Sequence, residues 1–376
     1  MPARIAPVDA ARGAAMILSC LAHFAWWLQP ASQGTTDVLA GIAMIATPMF
    51  LLLSGTMTGL LLSGGEQGRV QVRYVLLNRG LFLLIFGHVL VSLAEAHRSG
   101  GILRTLPAAS IVDDIGLALV FIGIFQASLS QERTRTVVAR VALAAYAFVW
   151  IALLMWPAEP SSVLAVKQAL IGPNPHPAAL STYTAPSLQY LTFYFMGLPL
   201  GDIVRHAMAR PDYENRLARS AFKAGTVLVG GVLVLRVFRV LIDRAGAAPS
   251  LDWTLSITAK VPPSPAYLAF YVGLALFIIS GLFRLAQRRG PLGLALIAWL
   301  AVIGRASLFC FVLQYFLVWT LPDLLNLRPS LAAAPALFIA VIAILWLAAR
   351  AWMRLRGNRW FTVGLKPPAT TMDTNT

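Results

Sequence analysis

Charge is what this chain has little of. Asp, Glu, Lys and Arg occupy 12% of its 376 positions, about half the roughly 25% usual in soluble domains. Acids are scarcer still: 15 Asp and Glu stand against 30 Lys and Arg, for a formal net charge of +15. Only two cysteines are present, Cys20 and Cys310. Both lie inside apolar runs, so a disulfide framework is not indicated. Extended polar stretches are also missing, which leaves no room for a separate soluble domain. What is there is apolar: 58% hydrophobic residues and a mean hydropathy of +0.74. Apolar runs near twenty residues recur along almost the whole length, the signature of an integral membrane protein. The basic surplus then calls for a membrane explanation before a nucleic-acid one, because it follows the loops.

Ten spans are expected, at about 13–29, 37–62, 74–93, 114–129, 137–156, 187–206, 221–243, 264–283, 292–320 and 332–350. They make an all-α, polytopic membrane bundle. With the N-terminus inside, 21 of the 30 basic residues fall in inner segments. Arg98, Arg104, Lys167, Arg244, Lys260 and Arg328 fall outside, and Arg236, Arg239 and Arg305 within spans. That alternation puts both termini in the cytoplasm of a cell that carries the protein in its inner membrane. Residues 1–364 read as one transmembrane unit and 365–376 as a disordered tail. A cleavable signal is the other reading of the first run, which follows Arg4 and Arg12. The nine spans after it, and the polar set within it, argue for retention.

That polar set organises the chain. PVDAARGAAMILSCLAHFAWWLQP carries Asp9, Arg12 and His23. Eleven residues separate Arg12 from His23, and eleven helical steps return to within about 20° of the starting direction. Both side chains therefore share one helix face, about 16 Å apart along the axis. Asp9 precedes Arg12 by one turn, within pairing distance. Such spacing suits a ligand with an anionic head and a long thin tail. Ionisable groups inside a bilayer are costly, and are functional candidates for that reason. A neutral imidazole at His23 can take a proton from an attacking hydroxyl or amine and return it to a leaving group. The plainer reading is a polar residue satisfied by neighbouring helices.

Other positions carry paired readings. Trp26 and Trp27 suit an interfacial aromatic belt. Pro48, in ATPMFLLLSG, should kink the second span and free a carbonyl. Gly55 and Gly59 have the small-xxx-small spacing of close helix packing. Arg79 reads as an inner-surface charge or as a phosphate contact. On a straight helix His88 lies about 180° from Arg79, so the two should face different surroundings. Asp113 and Asp114 either cap the fourth span, bind an acceptor or orient a histidine. Arg305 lies at mid-depth if 292–320 is one helix, and nearer the cytosol if 292–304 is a separate re-entrant element. Arg236 and Arg239 either snorkel to the outer interface or recognise an acceptor. The outer loop 157–186 reads as disordered or as a lid, with no role for His176. In loop 244–263, Asp252, Trp253 and Lys260 are candidate acceptor contacts.

Asp9–Ala–Ala–Arg12–Gly13, ten residues and then His23 resembles the R-x10-H signature of transmembrane acyltransferases. That superfamily includes acyltransferase-3 proteins, glucan succinyltransferases and the heparan-α-glucosaminide N-acetyltransferase group. ATPMFLLLSG is similar to its second-span "plFlFlsG". NRGLFLLIFGHVL resembles a later "RRl..Ll..G..H" and places Arg79 and His88 on its Arg and His. VDDIGLALVFIG resembles the start of the fourth span, and GRASLFCFVLQYFL the ninth-span "GR.aLt.Yl.q", covering Gly304, Arg305, Leu308 and Gln314. Gln314 stands where several branches carry His, and Phe311 where Tyr is expected. The matches touch spans one to four and nine.

The resemblance implies transfer of an acyl group, acetyl or succinyl, from cytosolic acyl-CoA to a hydroxyl or amine of a glycan or other envelope acceptor. His23 would be the catalyst, with Asp9 orienting Arg12. Arg12, Arg79, His88, Asp113, Asp114, Arg305 and Gln314 would bind substrates. Acyl-CoA is then a co-substrate, with no permanently bound cofactor or metal. The partners are acyl-CoA, an extracytoplasmic glycan or small-molecule acceptor and the lipid bilayer, without nucleic acid; self-association is left open. The rival readings are a multi-span transporter or exporter of a small polar or anionic substrate, and a silent membrane partner on the same scaffold. The two halves show no similarity of the kind inverted repeats would give.

Overall fold

The computed structural model describes residues 5–28, 33–64, 69–106, 110–155, 187–243, 249–327 and 330–366. The loop 157–186 with His176, and the tail from 367, lie outside the described residues.

The bundle is assembled around its first helix. α1 (Ala6–Leu28) starts with Pro7, whose fixed φ suits a first turn, and with Asp9 at the positive end of the helix dipole. At 23 residues it is about 35 Å long, enough for a hydrocarbon core of about 30 Å. It touches α2 (Gln33–Ala43), α3 (Ala46–Leu62), α10 (Pro265–Arg288), α11 (Pro291–Arg305), α12 (Ser307–Tyr315) and α13 (Ala334–Arg354). The remaining helices are α4 (Arg69–Phe82), α5 (His88–Ser99), α6 (Ile111–Ile124), α7 (Glu132–Met155), α8 (Ser187–Met208) and α9 (Tyr213–Asp243), with short turns between. No strand occurs among the described residues; the one β-bridge joins Lys260 and Pro263.

Among the described residues, eight helical segments are long and apolar enough to cross a membrane. Of the other expected spans, the fourth is α6, only 14 residues. The sixth is α8, which carries Asp202, Arg205 and His206. The ninth expected span is two elements. α11 ends at Arg305, Ala306 takes φ −107° and ψ 20°, and α12 starts at Ser307. The apolar pattern runs unbroken across this junction, so hydropathy alone does not reveal it.

In lipid, helices gain little from hiding apolar surface from one another, and small residues and polar links hold them instead. A Cβ at Gly55 would overlap the carbonyl of Tyr194, and one at Gly59 that of Leu198. From α8, Gly197 and Gly201 press back on α3 at Leu52 and Thr56. Gly13 meets Leu300 and Gly304 meets Asp9 in the same way, joining α1 to α11. At the end of α8, Arg135 and Asp202 form a buried two-pronged ion pair, and Arg135 also donates to the Leu129 and Ser130 carbonyls.

The second span breaks at Met44 and Ile45, between α2 and α3. Pro48 cannot donate to the carbonyl four residues back, that of Met44. Tyr267 Oη donates to it instead at 3.1 Å.

Candidate active site

α1 and α12 run parallel with a fixed offset. Arg12 Nη2 donates to Ser307 Oγ at 2.6 Å, and Gln314 Nε2 donates to Ser19 Oγ at 2.9 Å. Both pairs are separated by 295 residues. Further along, the His23 ring lies 4.5 Å from Tyr315 and 4.8 Å from Trp319, centroid to centroid. Arg12, Ser19 and His23 therefore form one stripe facing one neighbour, as their seven- and eleven-residue spacings require. Phe316–Thr320 beside His23 is a π-helical turn, a local widening that often accompanies functional sites.

At the Arg12 end a second guanidinium joins the first. Arg12 interacts electrostatically with Asp9, Arg79 and Tyr194, and Tyr194 with both arginines. Thr58 Oγ1 and Tyr194 Oη are hydrogen-bonded at 2.7 Å. Arg79 is exposed. Arg12 is enclosed and half-buried, and its Nε has no hydrogen-bond partner among the described residues. Two cations within electrostatic reach of each other attract an anion between them, and planar guanidinium forks suit phosphate oxygens.

At the other end His23 opens on a small cavity of about 20 Å³. That volume admits about one water. Ser19, Ala43, Thr47, Ile111, Lys260 and Tyr315 are among its walls. Nδ1 of His23 is buried without a hydrogen-bond partner among the described residues. Because Gln314 donates to Ser19 Oγ, the Ser19 O–H remains to donate elsewhere. Gln314 is completely buried. The break at Pro48 contributes to this wall through Ala43, Ala46 and Thr47, although the freed Met44 carbonyl is occupied by Tyr267.

The other sequence candidates lie elsewhere. His88 Nδ1 bonds Asp113 Oδ1 at 2.9 Å and its Nε2 bonds the Leu106 carbonyl at 2.8 Å. Asp113 Oδ2 accepts from Ser110 N and Oγ, at 2.7 and 2.8 Å. Asp113 thus both caps α6 and orients a histidine. A π-helical turn, Leu83–Gly87, lies between Arg79 and His88, which face different partners. Asp114 is completely buried near Ser187, its oxygens lacking a well-formed hydrogen bond among the described residues. Arg305 Nε donates to Ala301 of its own helix, and its carbonyl accepts from Asn358. Arg239 pairs with Asp252. Trp26 is 51% exposed, while Trp27 is buried against Phe24 and so does not belong to a surface belt. Cys20 and Cys310 are free and buried.

Ser19, Ser307 and Tyr194 were not singled out in the sequence. Ser19 was within reach of the same periodicity, seven residues past Arg12 and four before His23. Tyr194 carries no local signal, since only the close approach of α3 and α8 brings it to the arginines.

The central helix of this membrane bundle thus carries the half-buried Arg12 and the cavity-lining His23 on one face, the frame of a membrane protein with polar groups held inside its helices. A family model described as an acyltransferase domain, that of acyltransferase-3, matches residues 5–350, and the chain belongs to this family of transmembrane acyltransferases. No curated protein sequence matches the chain.

Proposed function

We propose that the chain moves an acetyl or succinyl group from acyl-CoA to a hydroxyl or amine of a glycan or other envelope acceptor, with His23 as general base. The observation that carries the reading is the stripe on α1, with Arg12 in electrostatic reach of Arg79 at one end and an unengaged imidazole nitrogen in a cavity at the other. The phosphates of CoA sit between Arg12 and Arg79, which face the cytosol. The extended pantetheine lies along the stripe and brings the thioester toward His23. Asp9 holds Arg12, and Arg305 lies near the same end for further contact with the donor.

His23 takes the proton from the acceptor O–H or N–H as that oxygen or nitrogen attacks the thioester carbonyl. The C–S bond of the tetrahedral intermediate then breaks, leaving an ester or amide. The imidazolium returns the proton to the departing CoA thiolate. Ser19 O–H, held by Gln314, donates to the oxyanion. His88, Asp113 and Asp114 lie outside the wall of the His23 cavity, on the helix that begins with its wall residue Ile111 or bonded to it, and take no direct part in the transfer.

Folded, purified His23→Ala protein should consume acyl-CoA thioester at least about 10²-fold more slowly than wild type, the usual contribution of a general base. Thioester consumption near the wild-type rate would reject the assignment.

A further inference from the structure

The cavity at His23 carries a charge that acid–base transfer does not require. Lys260 lines it, and its ammonium is within electrostatic reach of the imidazole. Among the described wall residues no other has a fixed charge: the rest are Ser19, Thr47, Tyr315 and His23 with apolar neighbours. Among the described residues Lys260 has no acidic partner.

Its position is built rather than incidental. The Lys260 carbonyl accepts from Tyr190 Oη at 2.9 Å, and Lys260 bridges to Pro263. The Pro263 carbonyl accepts from Tyr146 Oη at 2.8 Å. Ser264 N donates to Ala259 O at 3.0 Å, closing the turn. Two tyrosines, from α7 and α8, thus fix the backbone that delivers the ammonium to the cavity. A cation beside a poorly hydrated space is costly unless an anion meets it. The surrounding hydroxyl groups are suited to bind the same anion.

We propose that Lys260 forms an anion subsite in the acyl-transfer cavity, binding a carboxylate or phosphate carried by a substrate. The subsite rests on the reading of His23 as the transfer site and adds to it a substrate class. The anion has two sources of identical chemistry: the far end of a dicarboxylic acyl group, or an acidic group on the acceptor. Neutral acyl groups moving to neutral acceptors leave Lys260 unmatched. The cavity has room for about one water, so a single oxygen of the anion enters it while the rest of the molecule lies beyond.

The test has a binding arm and a turnover arm, both on the purified full chain. In the binding arm, thermal unfolding is followed with succinate against succinamide and with glucuronate against glucose, at matched ionic strength. At least one charged member should raise the unfolding midpoint above its neutral counterpart. Lys260→Met, first shown to unfold at the wild-type midpoint without probe, should lose that difference, and Lys260→Arg should keep it. His23→Ala should keep it too, so failure of the histidine assignment and failure of the subsite give different results. In the turnover arm, the rate ratio of succinyl-CoA to acetyl-CoA and the acceptor ratio of glucuronate to glucose are compared in wild type and Lys260→Met. A tenfold fall in the first places the anion on the acyl group, and in the second on the acceptor. Anion stabilisation equal in wild type and Lys260→Met, or absent from both, overturns the proposal, as does a Lys260→Met variant with both ratios unchanged.

Discussion

Arg79 illustrates how a single residue changes meaning with its surroundings. In the sequence it is one of many inner-segment cations. In the structure it lies within electrostatic reach of Arg12 and Tyr194, and two guanidinium groups at such range repel each other unless an anion lies between them. Hydrogen bonds to charged groups contribute about 1.5–3 kcal/mol. Arg79→Gln should therefore raise KM for acyl-CoA by roughly 10- to 100-fold and alter kcat much less, as steady-state kinetics with a soluble acyl-CoA would show. The alignment of Arg12 with His23 could be read in advance, because the helical period alone settles it. The pairing of Arg12 with Arg79 could not, because it depends on where α4 lies against α1. Lys260 is legible in the sequence as an outer-loop candidate for acceptor contact, but its place beside His23 is not. Its approach to His23 is set by Tyr146 and Tyr190, which stand 123 and 167 residues beyond the histidine in the chain.

Among the elements, the pair α3–α8 shows a motif acting as its spacing implies. Gly55 and Gly59 meet Gly197 and Gly201 with backbone against backbone, and neither side has a flexible atom to move aside. Gly55→Val should separate the helices, destabilise the protein by about 1–3 kcal/mol or more, and displace Tyr194 from the arginines. Gly281→Ala is the matching control: nothing lies within 4 Å of its added Cβ, and its midpoint should stay at the wild-type value. Denaturant unfolding in detergent distinguishes the two. The break between α11 and α12 was weighed in the sequence against a single long helix, and Ala306 decides for two elements. Proline announced the break in the second span; nothing comparable announces this one. Ser307 starts α12 beside Arg12, so the break delivers a hydroxyl to the arginine stripe.

For the whole molecule, α1 is the hub and the chain's last described residues tie down the Arg12–Arg79 end. After α13 the chain folds back as a strap. Asn78 Nδ2 donates to the Leu365 carbonyl at 2.8 Å, and its Oδ1 accepts from Thr362 Oγ1, Val363 N and Leu365 N. Phe361 packs on Phe82 and Trp352, which stacks on Phe309. Hydropathy could not reveal this strap, since it is neither a span nor a charged tail. Asn78→Ala removes all four of these contacts, each with a net value of about 0.5–1.5 kcal/mol. Trypsin cleavage at Arg356 and Arg359 should accelerate at least about tenfold, as read by limited proteolysis of the folded protein. The outward apolar faces of α9 and α13, including Val227, Phe238, Ile339 and Leu347, suit contact with lipid.

The most direct measurement compares binding and turnover of one acyl-CoA in His23→Gln and Arg12→Gln, using calorimetry for affinity and single-turnover quench for chemistry. The account predicts that His23→Gln binds the thioester as wild type does but hardly transfers from it, whereas Arg12→Gln loses affinity and keeps much of its chemical rate once saturated. Wild-type transfer by His23→Gln, or unchanged affinity in Arg12→Gln, would contradict it.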